Sequence, residues 1–62
     1  MKTIIHFTTL QGFTARPSIH TSGDREAVLA LAISKRNLDT SFITLETKEG
    51  SDHFTDDGRP LF

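Results

Sequence analysis

The chain has 62 residues, a formal net charge of −1 and no cysteine. A domain of this length hides only about 60% of the surface of its unfolded chain, and without cysteine it has no disulfide or thiolate metal site to stabilise it. Its longest apolar run, residues 27–33, is far shorter than the roughly 20 residues that cross a membrane. We therefore expect a single cytoplasmic domain over residues 1–62 that has no membrane association.

Two β-strands are predicted in the first third of the chain. Residues 2–9 (KTIIHFTT) are rich in β-branched and aromatic residues and contain no strand breaker. A loop containing Gly12 follows, and residues 16–21 (RPSIHT) resume extended character. Because Pro17 cannot donate a ladder hydrogen bond, we expect the second strand to lie at an edge of the sheet or to start at this residue.

The side-chain alternation of these strands predicts their two faces. A hairpin centred near residue 13 would place Phe7 opposite Ile19 and His6 opposite His20, and a slip of two residues would leave the faces unchanged. The face towards the core would carry Ile5, Phe7 and Ile19, and the other face Ile4, His6, Thr8, Ser18 and His20.

A helix is predicted from about residue 23 to residue 36, in the stretch DREAVLALAISKR. Ser22 and Thr21 offer capping oxygens before it, and its acidic first turn and basic last turn agree with the helix dipole. After it, Asn37 is expected to take a left-handed capping conformation, with Leu38 folded back over the last turn.

The apolar arc of this helix is wider than one sheet face normally covers. Val28 and Leu31 mark one side of the arc, and Leu29 and Ile33 mark the other. Loops and chain termini could cover the second side, or a partner or second copy of the chain could do so. The sequence leaves both interpretations open.

Residues 40–47 (TSFITLET) and the later DHFT predict a second hairpin around the turn KEGS. A four-residue loop would place Leu45 opposite Phe54 and Glu46 opposite His53. The inner face would then carry Ile43, Leu45 and Phe54, and the outer face Phe42, Thr44, Glu46, His53 and Thr55.

The predicted order is therefore β-β-α-β-β, a two-layer α+β fold with one helix on one face of a mainly antiparallel sheet. The end of the chain, residues 57–62, has two interpretations. Leu61 could fold back beside Phe54, or the segment could be a loosely anchored tail.

Catalytic and metal-binding motifs are absent from the sequence. His6 and His20, if they were cross-strand neighbours, could hold zinc with a carboxylate, and His53 with Asp52 or Glu46 could supply the remaining ligands. No HExxH motif, Gly-x-Ser-x-Gly turn, GxGxxG loop or phosphate-binding loop accompanies them. We expect no cofactor, no metal and no enzymatic activity.

Nucleic-acid binding is the alternative function that the sequence leaves open. Basic side chains concentrated before residue 39, with one aromatic ring on the outer face, could follow a phosphate backbone. The residues concerned are Lys2, Arg16, Arg25, Lys35, Arg36 and Phe42. The net charge of −1 and the lack of Tyr and Trp make nucleic acid a less favoured partner than protein.

We predict that the chain is a small non-enzymatic module that binds another protein. Large apolar residues on two sides of the helix and on both faces of the sheet need more cover than one helix provides. Short chains of this type are common among viral and mobile-element inhibitors or adaptors that dock on a larger host protein, and a homodimer would cover the same residues. The predicted contact residues are Ile4, His6, His20, Leu29, Ile33, Phe42, Thr44, Glu46 and His53.

Overall fold

The structure is a computed structural model that describes residues 2–61. Within these residues, a single helix packs across one face of a four-stranded antiparallel sheet. The elements are β1 Lys2–Thr8, β2 Thr14–Ser22, α1 Arg25–Lys35, β3 Phe42–Thr47 and β4 Gly50–Thr55. The predicted α+β fold with the order β-β-α-β-β is confirmed. The expected domain (1–62) and the expected tail (57–62) include Met1 and Phe62, which lie outside the described residues.

The strands lie in the order β2-β1-β3-β4. Two hairpins place β2 beside β1 and β4 beside β3, and α1 crosses the sheet from β2 to β3, so that β1 and β3 pair in the centre. The strand with Pro17 is at an edge of the sheet, and Pro17 lies between Arg16 and Ile19, where the register with β1 shifts.

The register of the first hairpin differs by two residues from the predicted one. The observed pairs are Lys2–Ser22, Thr3–Thr21, Ile4–His20 and Ile5–Ile19. The register then has irregularities on both sides of Phe7. The predicted pairings of His6 with His20 and of Phe7 with Ile19 are therefore wrong. The face assignments survive, because side chains alternate with a period of two residues.

The second hairpin shows the same two-residue difference. Its register runs Ile43–Phe54, Thr44–His53, Leu45–Asp52, Glu46–Ser51 and Thr47–Gly50. The predicted pairings of Leu45 with Phe54 and of Glu46 with His53 are wrong, because the loop consists of Lys48 and Glu49 alone and not of four residues. Gly50, with φ +137°, accepts the backbone conformation that closes this short loop.

One hydrophobic core lies between α1 and the inner face of the sheet. Its buried members are Ile5, Phe7, Val28, Ala32, Ile43, Leu45 and Phe54. Each fully buried large side chain contributes roughly 1.5–3 kcal/mol relative to exposure. Val28 and Ala32 are four residues apart and therefore share the side of α1 that faces the sheet. Leu31 is only partly buried beside them.

The N-terminus of α1 begins later than predicted. Asp24 is the N-cap residue, its carbonyl accepts the Val28 N–H at 2.9 Å, and its side chain makes no capping hydrogen bond. The predicted capping by Ser22 and Thr21 is wrong because both residues belong to β2. Within residues 2–61, no helix is both long and apolar enough to cross a membrane.

The C-terminus of α1 is followed by extended backbone, with Arg36 at φ −63° and ψ 152°. The predicted left-handed cap at Asn37 is wrong, because no non-glycine residue among 2–61 has a positive φ. Asn37 Nδ2 instead donates to the Ala15 carbonyl at 2.8 Å, and its Oδ1 accepts from Thr40 Oγ1 at 2.8 Å. These bonds tie the α1–β3 loop to β2 and leave Leu38 fully exposed, so Leu38 does not fold back over the helix.

The chain after β4 turns back along that strand. The Thr55 N–H donates to the Arg59 carbonyl at 2.8 Å, and the Leu61 N–H donates to the His53 carbonyl at 3.0 Å. The turn between them passes through Gly58, at φ +90°. Part of the free edge of β4 is thereby paired within the chain.

Candidate protein-binding face

The outer face is the side of the sheet that faces away from α1. It carries Lys2, Ile4, His6, Ser18, His20, Ser22, Phe42, Thr44, Glu46 and His53. Every one of these residues is partly or fully exposed. Seven of the nine predicted contact residues lie together here, and the other two, Leu29 and Ile33, lie on α1.

His6 connects three strands at the centre of the outer face. Its Nε2 lies 2.7 Å from Glu46 Oε1 on β3, and its Nδ1 lies 2.9 Å from Ser18 Oγ on β2. An ionised carboxylate only accepts hydrogen bonds, so Nε2 carries the proton. In the neutral imidazole Nδ1 then accepts from the Ser18 hydroxyl, and in the imidazolium it donates to it. Either state keeps both bonds.

Thr44 and His53 continue this polar row to the far edge of the sheet. Thr44 lies opposite His6 on one side and opposite His53 on the other. Its Oγ1 is 2.9 Å from His53 Nδ1. Side-chain hydrogen bonds between adjacent strands therefore hold most of the row in place, from Ser18 on β2 to His53 on β4.

All three histidines of the chain lie on the outer face. They are not arranged as a metal centre, since within residues 2–61 no group of three or more His, Asp or Glu side chains could hold a metal ion. The predicted zinc pair of His6 and His20 required these residues to lie opposite each other, and Ile4 is instead the residue opposite His20.

A shallow concavity of about 650 Å³ opens at the end of the sheet where β1 begins and β2 and β3 end. Residues in its walls include Lys2, Ile4, His20, Ser22, Glu46 and Lys48. Neither Lys2 nor Lys48 has an ion-pair partner among residues 2–61. The concavity therefore combines two unpaired ammonium groups with one apolar residue.

The helix flank marked by Leu29 and Ile33 is partly covered by the chain itself. Both residues are half-buried, and the backbone of Gly58 packs against their side chains. Arg36, one turn further along, donates a hydrogen bond to the Asp56 carbonyl in the same C-terminal turn. Of the two interpretations of the wide apolar arc, cover by the chain terminus accounts for this flank.

Three strongly exposed apolar side chains in the described part of the chain, residues 2–61, were not anticipated. Leu10 and Phe13, in the β1–β2 loop, are each 72% exposed, and Leu38 in the α1–β3 loop is 105% exposed. Neither loop has a periodic pattern from which exposure could be read. Lys2 and Ser18 also lie on the outer face but were not among the predicted contact residues, although the alternation that identified Ile4 as an outer-face residue places them there.

The six residues of the nucleic-acid alternative do not share a face. Lys2 and Phe42 lie on the outer face, whereas Arg16 and Arg25 cover aromatic rings of the core on the helix side. Arg36 is held by the C-terminal turn. Among residues 2–61, the outer-face positions of the strands therefore hold no arginine, and Phe42 is their one Phe, Tyr or Trp ring.

Comparisons with family models, with curated proteins and with solved structures found no match to this chain. Its function is therefore inferred from the geometry and charge of the surfaces described above.

Proposed function

We propose that this chain is a small non-enzymatic protein-binding module, an inhibitor or adaptor that docks on a larger protein through the outer face. The observation that carries the proposal is an uncovered sheet face of Thr, His, Ile and Phe side chains, joined by hydrogen bonds between strands. A face meant only for water normally carries more lysine and glutamate. The absence of cysteine is consistent with a reducing compartment, and we place this function in the cytoplasm.

The hydrogen bonds of the outer face favour binding because they order its side chains before a partner arrives. Ordering a flexible side chain at an interface costs about 0.5–1.5 kcal/mol. His6, held at both ring nitrogens, and Thr44, held by His53, have already lost part of that freedom. Ile4 and Phe42, both half-buried, add apolar area on either side of the polar row.

The Ser18–His6–Glu46 array has the residue types of a hydrolytic triad, but its surroundings support recognition over catalysis. A triad needs converging N–H donors that stabilise an oxyanion. On a strand the N–H groups lie in the plane of the sheet, and the side chains stand perpendicular to it. The His6 and Glu46 side chains are also 38% and 48% exposed, so water is not excluded from the array.

The experiment is photocrosslinking from the outer face in a cell extract. A photoreactive phenylalanine analogue at position 44 should give one crosslinked protein, and the same analogue at the exposed helix position Ala27 should not. Unlabelled chain should compete with the product, and nuclease should not remove it. A nuclease-sensitive product would favour the nucleic-acid alternative, and a product of twice the chain mass would indicate a homodimer.

A matched pair of Phe→Ser variants locates the surface. Phe42→Ser, on the outer face, should abolish the crosslink, whereas Phe13→Ser, in the β1–β2 loop, should leave it intact. The reverse result would move the binding surface to the apolar loops and refute the proposal. Urea unfolding of both variants verifies that each remains folded.

A further inference from the structure

Acidic side chains are almost excluded from the outer face. The sequence contains eight carboxylate side chains, and among the strand residues of the outer face within 2–61 only Glu46 carries one. The others lie near the start of α1, in the loops and turns, and on β4 beside Arg25. The one outer-face carboxylate is already hydrogen-bonded to His6. A chain with a net charge of −1 therefore presents a face whose strands carry one carboxylate, that of Glu46, which lines the concavity and is hydrogen-bonded to His6.

Basic groups collect on the same face. Lys2, Lys48 and His20 border the concavity, and His6 and His53 lie in the adjacent polar row. The two lysines have no ion-pair partner within residues 2–61. Unpaired charges around a recess attract ligands of opposite charge and raise the rate of their encounter.

The recess is large enough for side chains of a bound segment. Its volume of about 650 Å³ lies inside the range of roughly 300–1,000 Å³ that is usual for ligand clefts. Ile4 gives it an apolar lining residue, and the Ser22 hydroxyl is a further hydrogen-bond donor. These groups suit carboxylate side chains with aliphatic stems, such as glutamate.

We infer that the outer face recognises an acidic segment of its protein partner, whose carboxylates enter the concavity between Lys2, His20 and Lys48. This inference rests on the proposed function and specifies the chemistry of the partner. A second copy of the chain fits poorly, because two outer faces would meet with like charges. Nucleic acid also fits poorly, because phosphate tracking favours arginine and stacked rings, and within residues 2–61 the strands of this face carry no arginine and one Phe, Tyr or Trp ring.

The test is a titration of the ¹⁵N-labelled chain with a short peptide of alternating glutamate and glycine at low salt. Amide shifts should concentrate at Lys2–Ile4, His20–Ser22 and Glu46–Lys48, and a lysine–glycine peptide of equal length should cause none. The double variant Lys2→Gln/Lys48→Gln should weaken binding about tenfold or more. The matched control Lys35→Gln, which removes the same charge from α1, should change affinity by less than about twofold.

Three results would overturn the inference. These are equal shifts on the helix side, an affinity unchanged by the double variant, and a single-stranded oligonucleotide of equal charge that binds the same residues more tightly than the peptide. The photocrosslinking experiment separates this inference from the proposed function. If the double variant retains the crosslink at position 44 and Phe42→Ser loses it, the protein-binding function stands and the acidic-segment inference fails.

Discussion

The backbone of Gly58 lies directly against the side chain of Ile33. A Cβ atom added at Gly58 would be 2.7 Å from Ile33 Cδ1 and 3.7 Å from Leu29 Cδ2. The C-terminal turn is therefore part of the packing of α1, because it covers the apolar flank that the sheet does not reach. We expect substitutions of Leu29 or Ile33 to act first on stability, and only through stability on partner binding.

Gly58→Ala should destabilise the chain by about 1–3 kcal/mol. The backbone at Gly58 has a positive φ, +90°, which strains a residue that carries a Cβ, and the added Cβ would lie too close to Ile33 Cδ1. Gly12→Ala is the matched control, because Gly12 has φ +93° and nothing within 4 Å of an added Cβ. It should cost about 1 kcal/mol from backbone strain alone. Urea unfolding of the two variants measures the difference, and equal values would mean that the turn yields without cost.

Arg16 should stabilise the fold through its shape as well as its charge. Its Nη1 donates to the Lys35 carbonyl at the end of α1 at 2.6 Å, and its guanidinium lies 5.1 Å from the centroid of the Phe7 ring. We expect Arg16→Ala to cost about 1–2 kcal/mol. Arg16→Lys should recover only part of this stability. The compact ammonium group of lysine cannot both donate to the Lys35 carbonyl and lie over the Phe7 ring, as the planar guanidinium does.

The exposed Lys35 side chain supplies the control for Arg16. Lys35→Ala removes a positive charge from the same end of α1 but no contact with the core, and its effect should stay within about 0.5 kcal/mol. Thermal unfolding of the three variants is sufficient. Complete recovery of stability in Arg16→Lys would show that charge alone matters at this position.

The Thr55 hydroxyl, which donates a hydrogen bond to the Asp57 carboxylate, lowers the pKa of Asp57 below its ordinary value. The positive charge of Arg59 lowers this pKa further, and partial desolvation opposes both. Because the pKa in the folded chain is lower than the ordinary pKa of 3.8, Asp57 stabilises the fold above that ordinary value. This contribution is lost as the pH falls through the folded pKa.

Thr55→Val should therefore raise the pKa of Asp57 towards that of an unfolded chain. Carboxyl ¹³C chemical shifts followed between neutral and strongly acidic pH measure it directly. Thr44→Val, which removes a strand hydroxyl bonded to His53, should leave Asp57 unchanged. A pKa that does not move in Thr55→Val would assign the lowering to Arg59 instead.

The bond between His6 and Glu46 should contribute little to stability despite its length of 2.7 Å. Both side chains are substantially exposed, and solvent screens exposed pairs of this type to about 0.2–1 kcal/mol. A double-mutant cycle of His6→Ala and Glu46→Ala, read by urea unfolding, measures the coupling. A coupling above about 2 kcal/mol would show that the array is structural, and would remove one reason for assigning it to recognition.

Side-chain alternation made the two faces of the sheet predictable. Ile5 and Phe7 alternate with Ile4 and His6, and the structure buries the first pair and exposes part of the second. The pairing register was not predictable from the same pattern, because a shift of two residues keeps every side chain on its face. In the second hairpin the register depends on a two-residue loop, and the sequence KEGS also suits a four-residue loop.

The sequence by itself determined the element order and the sides of the strands, since these follow from local periodicity and from breaker residues. Only the tertiary structure decided which residues become neighbours on each side of the sheet. The contact of Gly58 with Ile33, the row from Ser18 to His53 and the concavity lined by Lys2 and Lys48 each bring together residues far apart in the chain. Strand order and register create such neighbours, and both depend on the packing of the whole chain, which no local pattern encodes.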